Sequence, residues 1–254
     1  MISIEKVDLS SKKAVNEFVE FPFKVYQNIP QWVPPILSDI KLMLNPKKHP
    51  FYEHSDGEFF VARMNGEIVG RIGALENKPF NEYHDTRQAQ FYLFECVDEQ
   101  EVADALFNRV FEWAHARGLN EVVGPKGLSP FDGYGIQIEG FEHRQMMVMM
   151  NYNPPYYVKL VENLGFQKEV DFVSCYLHRD SFKMPEKVHL VAQRVKEKGT
   201  FRVVTFTNKR ELRAYAYQIG DAYNKTFVNN WEYYPLTQRE IDFVVQNLLT
   251  IADP

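Results

Sequence analysis

Residues 57–75, GEFFVARMNGEIVGRIGAL, set two apolar stretches on either side of Asn65-Gly66. Both residues of that dipeptide tolerate positive φ, which a two-residue turn between twisted antiparallel strands requires. The chain is thereby committed to a strand pair, and the remaining elements must be arranged around a sheet. Residues 88–97 (QAQFYLFECV) are almost continuously apolar, as a central strand covered on both faces must be. Residues 99–117 then carry Val102, Leu106, Val110 and Trp113 or Ala114 at helical spacing, closed by Gly118. Glu121, Val122 and Val123 read as a short strand stopped by Gly124-Pro125. Strand, helix, strand in this order predicts a right-handed parallel crossover.

Ahead of the hairpin, residues 1–7 alternate as a strand. Asp8 or Ser10 is placed to cap a helix reaching Tyr26, and residues 36–44 form a second helix beyond Pro30, Pro34 and Pro35. Residues 126–150 are glycine-rich and aromatic, ending in the apolar run QMMVMM. In residues 151–166, NYNPPYYVKLVENLGF, Pro154 and Pro155 suit a first helical turn, Gly165 a left-handed stop, and Phe166 a return to the core. A strand is expected over residues 171–178. A second series follows, with a strand at 201–206 and a helix at 209–226 capped by Thr207 or Asn208. One ungapped offset lays Ile2 on Phe201, Ile4 on Val203, Phe18 on Tyr217 and Trp32 on Trp231, an ordered internal repeat.

The net charge of -5 and a pI near 5.8 exclude the basic face that binding to nucleic acid needs. Nowhere is there an apolar run of about eighteen residues that would cross a membrane, and the first fifteen residues or so lack a signal-type apolar region. Cys96 and Cys175, both in apolar runs, read as buried free thiols in a reducing cytoplasmic setting. His84, His115 and His143 show no metal-ligand spacing, and His49 and His54 read as loop residues. No Gly-x-Ser-x-Gly elbow supports a serine nucleophile.

Strand, two helices, Asn-Gly hairpin, long strand, helix, strand, and a helix ending Leu164-Gly165-Phe166: over residues 1–178 this order resembles the GNAT superfamily of acyl-CoA N-acyltransferases. The resemblance implies an α+β fold with a mixed central sheet flanked by helices and splayed between its fourth and fifth strands. It implies a GNAT-like domain over residues 1–180. Residues 181–254 would begin a second such unit, strand plus helices, cut short before its later strands. The donor would be acetyl-CoA or another acyl-CoA, without a metal. Phe94, Cys96 and Val97 would hold the pantetheine, Val102 and Ala103 would offer amides to the phosphates, and Asn153 would be a further contact. Phe131, Tyr134 and Phe141 would line the pocket of a small-molecule acceptor. Neither nucleic acid nor membrane is expected as a partner; a homodimer is.

Two departures from the family pattern bear on activity. The glycine-rich pyrophosphate loop is replaced by Asp98-Glu99-Gln100-Glu101-Val102-Ala103-Asp104, whose four carboxylates repel a polyanion. The usual acid position before Gly-Phe is Val161, which has no proton to give. Tyr157 lies one turn earlier on the same face and is the remaining candidate acid. Glu95, or Glu139 in the glycine-rich stretch, is the candidate base. Two functions stay open at this point: acyl transfer to an amine-type acceptor, and a catalytically silent binding or scaffolding module.

Overall fold

The computed structural model describes residues 1–145, 147, 149–175 and 177–252. Met146 and Val148 of the QMMVMM run, Tyr176 of the strand expected at 171–178, and Asp253 and Pro254 lie outside the described residues. The sheet is built from β1 (Ile2–Lys6), β2 (Asp56–Met64), β3 (Glu67–Glu76), β4 (Gln88–Cys96) and β5 (Glu121–Val123), lying side by side in chain order. The first four strands are antiparallel neighbours, and β5 runs parallel to β4. Asn65 at φ 53° and Gly66 at φ 85° make the turn between β2 and β3, as the dipeptide predicts.

Alternation along β2 sends neighbouring side chains into two cores. Phe60 and Ala62 face α4 (Gln100–His115) and α5 (Tyr156–Asn163), packing with Phe91, Leu106, Phe107, Val110 and Leu160. Phe59 and Val61 face α1 (Lys12–Val25) and α2 (Leu37–Met43), packing with Phe18, Val19, Ile40 and Tyr92. Burying each of the larger of these side chains contributes about 1.5–3 kcal/mol. Gly70 lets α4 approach β3, since a Cβ there would meet Leu106 Cδ1 at 2.7 Å. This is the mixed, helix-flanked GNAT-like α+β arrangement that the element order implies.

Local readings differ in places. Ser11, rather than Asp8 or Ser10, caps α1, its side chain accepting from Ala14 N. Asp8 is instead taken up by Ser10, whose amide and hydroxyl both donate to it. Three further helices escape the periodicity: α3 (Lys78–His84), α6 (Glu186–Lys198) and, beyond the expected α7 (Lys209–Thr226), α8 (Gln238–Ile251). The strand expected at 171–178 is not formed among its described residues, nor is the one at 201–206. Both runs have strand-type composition, but no neighbouring strand bonds to them, and propensity alone does not hold an isolated strand. Cys175 is for this reason exposed, not buried; Cys96 is fully buried.

Candidate functional site

β4 and β5 pair only at Gln88 with Glu121, Ala89 with Val122 and Gln90 with Val123. A last bond joins Lys126 N to Phe91 O at 2.9 Å, and the strands then part. Gly124 permits that exit, because a Cβ there would lie 2.5 Å from Phe91 O. Beside the opening, β4 bulges. Its register against β3 shifts between Arg71 and Gly73, and Leu93 takes φ 51°. Tyr92 and Leu93 both pack in the α1-side core, which turns Phe94 and Cys96 toward α4 and Glu95 toward α1.

Three side chains converge on that re-aimed carboxylate. The hydroxyls of Tyr26 and Tyr157 donate to Glu95 Oε2 at 2.8 and 2.7 Å. Arg71 approaches Oε1 at 3.8 Å, its own NH1 donating to Phe18 O at 2.9 Å. Tyr26 is fixed by a stacked ring contact with Trp32, centroids 4.6 Å apart. Burial pushes the Glu95 carboxyl above its usual range, against the opposing pull of Arg71 and the two phenols. Burial and the Glu95 charge push the Tyr157 hydroxyl upward as well.

α5 covers the diverging end of β4. Tyr157 Oη accepts from Cys96 N at 2.9 Å, and Tyr156 Oη donates to Cys96 O at 2.8 Å. Gln100, in the first turn of α4, donates to Leu160 O at 3.1 Å and accepts from Asn163 at 2.8 Å. The amides of Val102 and Ala103 bond to Glu99 O, and both side chains are buried in the core, so neither amide is presented to a phosphate group. The Val97 amide bonds back to Val69 O on β3. Asn153 is buried and clasps Gln137, accepting from its N at 2.6 Å and donating to its O at 3.2 Å.

The candidate acid and base are thus brought into contact, while the three candidate acceptor-pocket aromatics pack on different partners. Phe131 packs on Tyr223 of α7, Tyr134 on Phe172 and Trp231, and Phe141 on Tyr152. Val161 is buried in the α4-side core, and Glu139 is exposed on the loop. Tyr26, Arg71 and Tyr156 were not singled out from sequence. Arg71 had a usable signal: a charge inside the apolar run EIVGRIGAL demands a buried partner. Among the described residues, no group of three or more His, Cys, Asp and Glu is placed to hold a metal ion. No described helix is long and apolar enough to cross a membrane.

The five-stranded mixed sheet flanked by helices is the arrangement that the GNAT resemblance implies. No protein-family model matches it. It is 26% identical over 230 residues to Protein YghO of Escherichia coli strain K12, an alignment covering 91% of this chain and 58% of that protein. It is also 26% identical over 251 residues to a bacterial ceramide synthase of Caulobacter vibrioides, covering 97% of this chain and 64% of that protein. The chain therefore spans less than two thirds of either relative's length. Among solved structures, an aminoglycoside acetyltransferase from an uncultured soil metagenomic sample, in complex with sisomicin, matches at a TM-score of 0.44 and 14% identity. That match covers 70% of this chain and 95% of the other. A tandem GNAT protein of the clavulanic acid biosynthesis pathway matches at a TM-score of 0.44 and 12% identity, covering 65% and 43%.

Proposed function

We propose that the chain carries an acyl-transfer site in which an acyl group passes from acyl-CoA to an amine-type acceptor. The supporting observation is the contact of 2.7 Å between Tyr157 Oη and Glu95 Oε2 where β4 and β5 part. The amine nitrogen adds to the thioester carbonyl as its proton passes to Glu95. The C–S bond breaks, and the leaving thiolate takes the Tyr157 proton. Before the transfer, the Glu95 charge holds the phenol proton tightly. Once Glu95 is neutral that hold is released, and the same short bond returns a proton from Glu95 to the phenolate. The relative named for ceramide synthesis agrees with an amine acceptor, since a ceramide is a fatty amide.

A specific observation favours a second reading, a catalytically silent binding module. The N–H and C=O of Cys96 are already engaged by Tyr157 and Tyr156, so a pantetheine arm seeking that backbone must displace them. Thiol release from acetyl-CoA and longer acyl-CoAs, measured with a panel of amines, separates the two. Turnover lost in both Tyr157→Phe and Glu95→Gln supports acyl transfer. No calorimetric heat with any acyl-CoA at millimolar concentration would overturn it.

A further inference from the structure

The internal repeat pairs covered positions with bare ones. In the first unit, Ile2 and Ile4 lie in β1 opposite Met64 and Ala62 of β2, packed against the α4-side core. Phe18 of α1 is fully buried under Phe59 of β2, ring centroids 5.5 Å apart, with the Arg71 guanidinium of β3 over its face. The positions that the same offset assigns to them are Phe201, Val203 and Tyr217, exposed to 76%, 92% and 57%. The β2–β3 hairpin pairs with β1 and lies on Phe18, with α4 beside Ile2 and Ile4 and with α2 and β4 beside Phe18. No counterpart of that hairpin lies over the second set among the described residues.

A further apolar surface lies on α7, which carries both Tyr217 and the cavity-lining Leu212 and Ala216. A cavity of about 580 Å³ opens between α7 and α8, lined by Phe131, Leu212, Ala216, Ile241, Val245 and Leu248 among others. An exposed apolar face of this kind marks an interaction surface, and residues 201–206 have no strand partner among the described residues. The two relatives match 91% and 97% of this chain yet carry further sequence, since the alignments cover 58% and 64% of them.

We propose that residues 201–206 and α7 form the docking face for an antiparallel β-hairpin supplied by further sequence of the same polypeptide. The hairpin pairs with residues 201–205 as β2 pairs with β1, and lays alternate apolar side chains on α7 as Phe59 lies on Phe18. The inference is independent of whether the Glu95 site turns over.

Hydrogen exchange read by mass spectrometry tests it, comparing this 254-residue chain with the polypeptide isolated at native length from its own cells. Amides of 201–206 should exchange freely in the 254-residue chain and at least ~100-fold more slowly at native length, as hydrogen-bonded strand amides do. Equal exchange in both overturns the proposal, as does a native polypeptide whose intact mass is the 29.8 kDa of this chain. A substitution keeps the test independent of one probe. Val203→Lys should leave the melting temperature of this chain unchanged and lower that of the native-length protein, or prevent its folding. An unchanged melting temperature at native length overturns the proposal.

Discussion

Tyr157 has one proton and two acceptors in reach, Glu95 Oε2 at 2.7 Å and Cys96 O at 3.3 Å, and the shorter, charge-assisted bond takes it. Removing the neighbouring donor tests how the carboxylate is held. Tyr26→Phe deletes a bond that favours the charged form, so the Glu95 pKa should rise further and the acid limb of the pH–rate profile should move to higher pH. The stability cost, read by urea unfolding, should be about 1–2 kcal/mol. Two other groups, half-buried Asp132 and buried His49, give opposite pH dependences. Burial raises Asp132 to about 6 from 3.8, so the stability it contributes is full below its unfolded value and lost as pH rises through 6. Burial lowers His49 to about 4 from 6.5; its contribution is full above 6.5 and lost as pH falls toward 4. Each is worth about 3 kcal/mol at 1.36 kcal/mol per pKa unit. Relative to the parent, Asp132→Asn should gain stability between pH 4 and 6.5, and His49→Asn should lose it. Urea unfolding at those pH values checks both signs; a parallel pH response of all three proteins would refute them.

The elements that sequence made legible are those whose pattern and termini agree. The hairpin declared itself through Asn65-Gly66, α4 through its apolar stripe and Gly118, and α5 through Gly165, which takes φ 88°. The site was half legible. Glu95 and Tyr157 stood out by chemistry, but the Leu93 bulge that brings them together is a property of register, which alternating residues do not encode. Tyr26 was readable as the end of α1 and not as a partner of Glu95, because that contact joins residues 69 positions apart. The strands expected at 171–178 and 201–206 failed for the complementary reason: composition specifies a strand only when a neighbour completes its ladder. The close approach of α4 to β3 is open to test at this scale. In Gly70→Val the new side chain would press on Leu106 and Val102, and urea unfolding should show a loss of about 1–3 kcal/mol.

Across the whole molecule, the residues after 180 are joined to those before them by polar contacts and by aromatic and apolar packing. His54 reaches Glu240 at 3.2 Å, Arg239 reaches Glu53 at 3.2 Å, and His84 bonds Tyr233 O at 2.7 Å. The apolar share is a cluster of Phe80, Tyr234, Leu236 and Ile241 with Phe131, Tyr223 and Val245 against it, and the ring contacts of His49 with Phe243 and Tyr83 with Tyr233. The most buried tie is Lys126, whose ammonium lies 2.9 Å from Glu232, donates to Gln88 at 3.1 Å and sits 4.0 Å above the Phe80 ring. The contact with Glu232 is close but outside hydrogen-bond angles, so it acts as an ion pair. Glu232→Gln leaves a buried ammonium with less to neutralise it and should cost about 3 kcal/mol. That loss belongs to the contact between the residues after 180 and the earlier elements rather than to the core around α4, so it should divide the unfolding transition. Trp113 lies in that core and Trp231 beside Lys126, which gives each region its own fluorophore. With single-tryptophan derivatives, the Trp231 transition in Glu232→Gln should move to lower urea while the Trp113 transition holds. A common shift of both would mean that the two regions unfold as one cooperative unit.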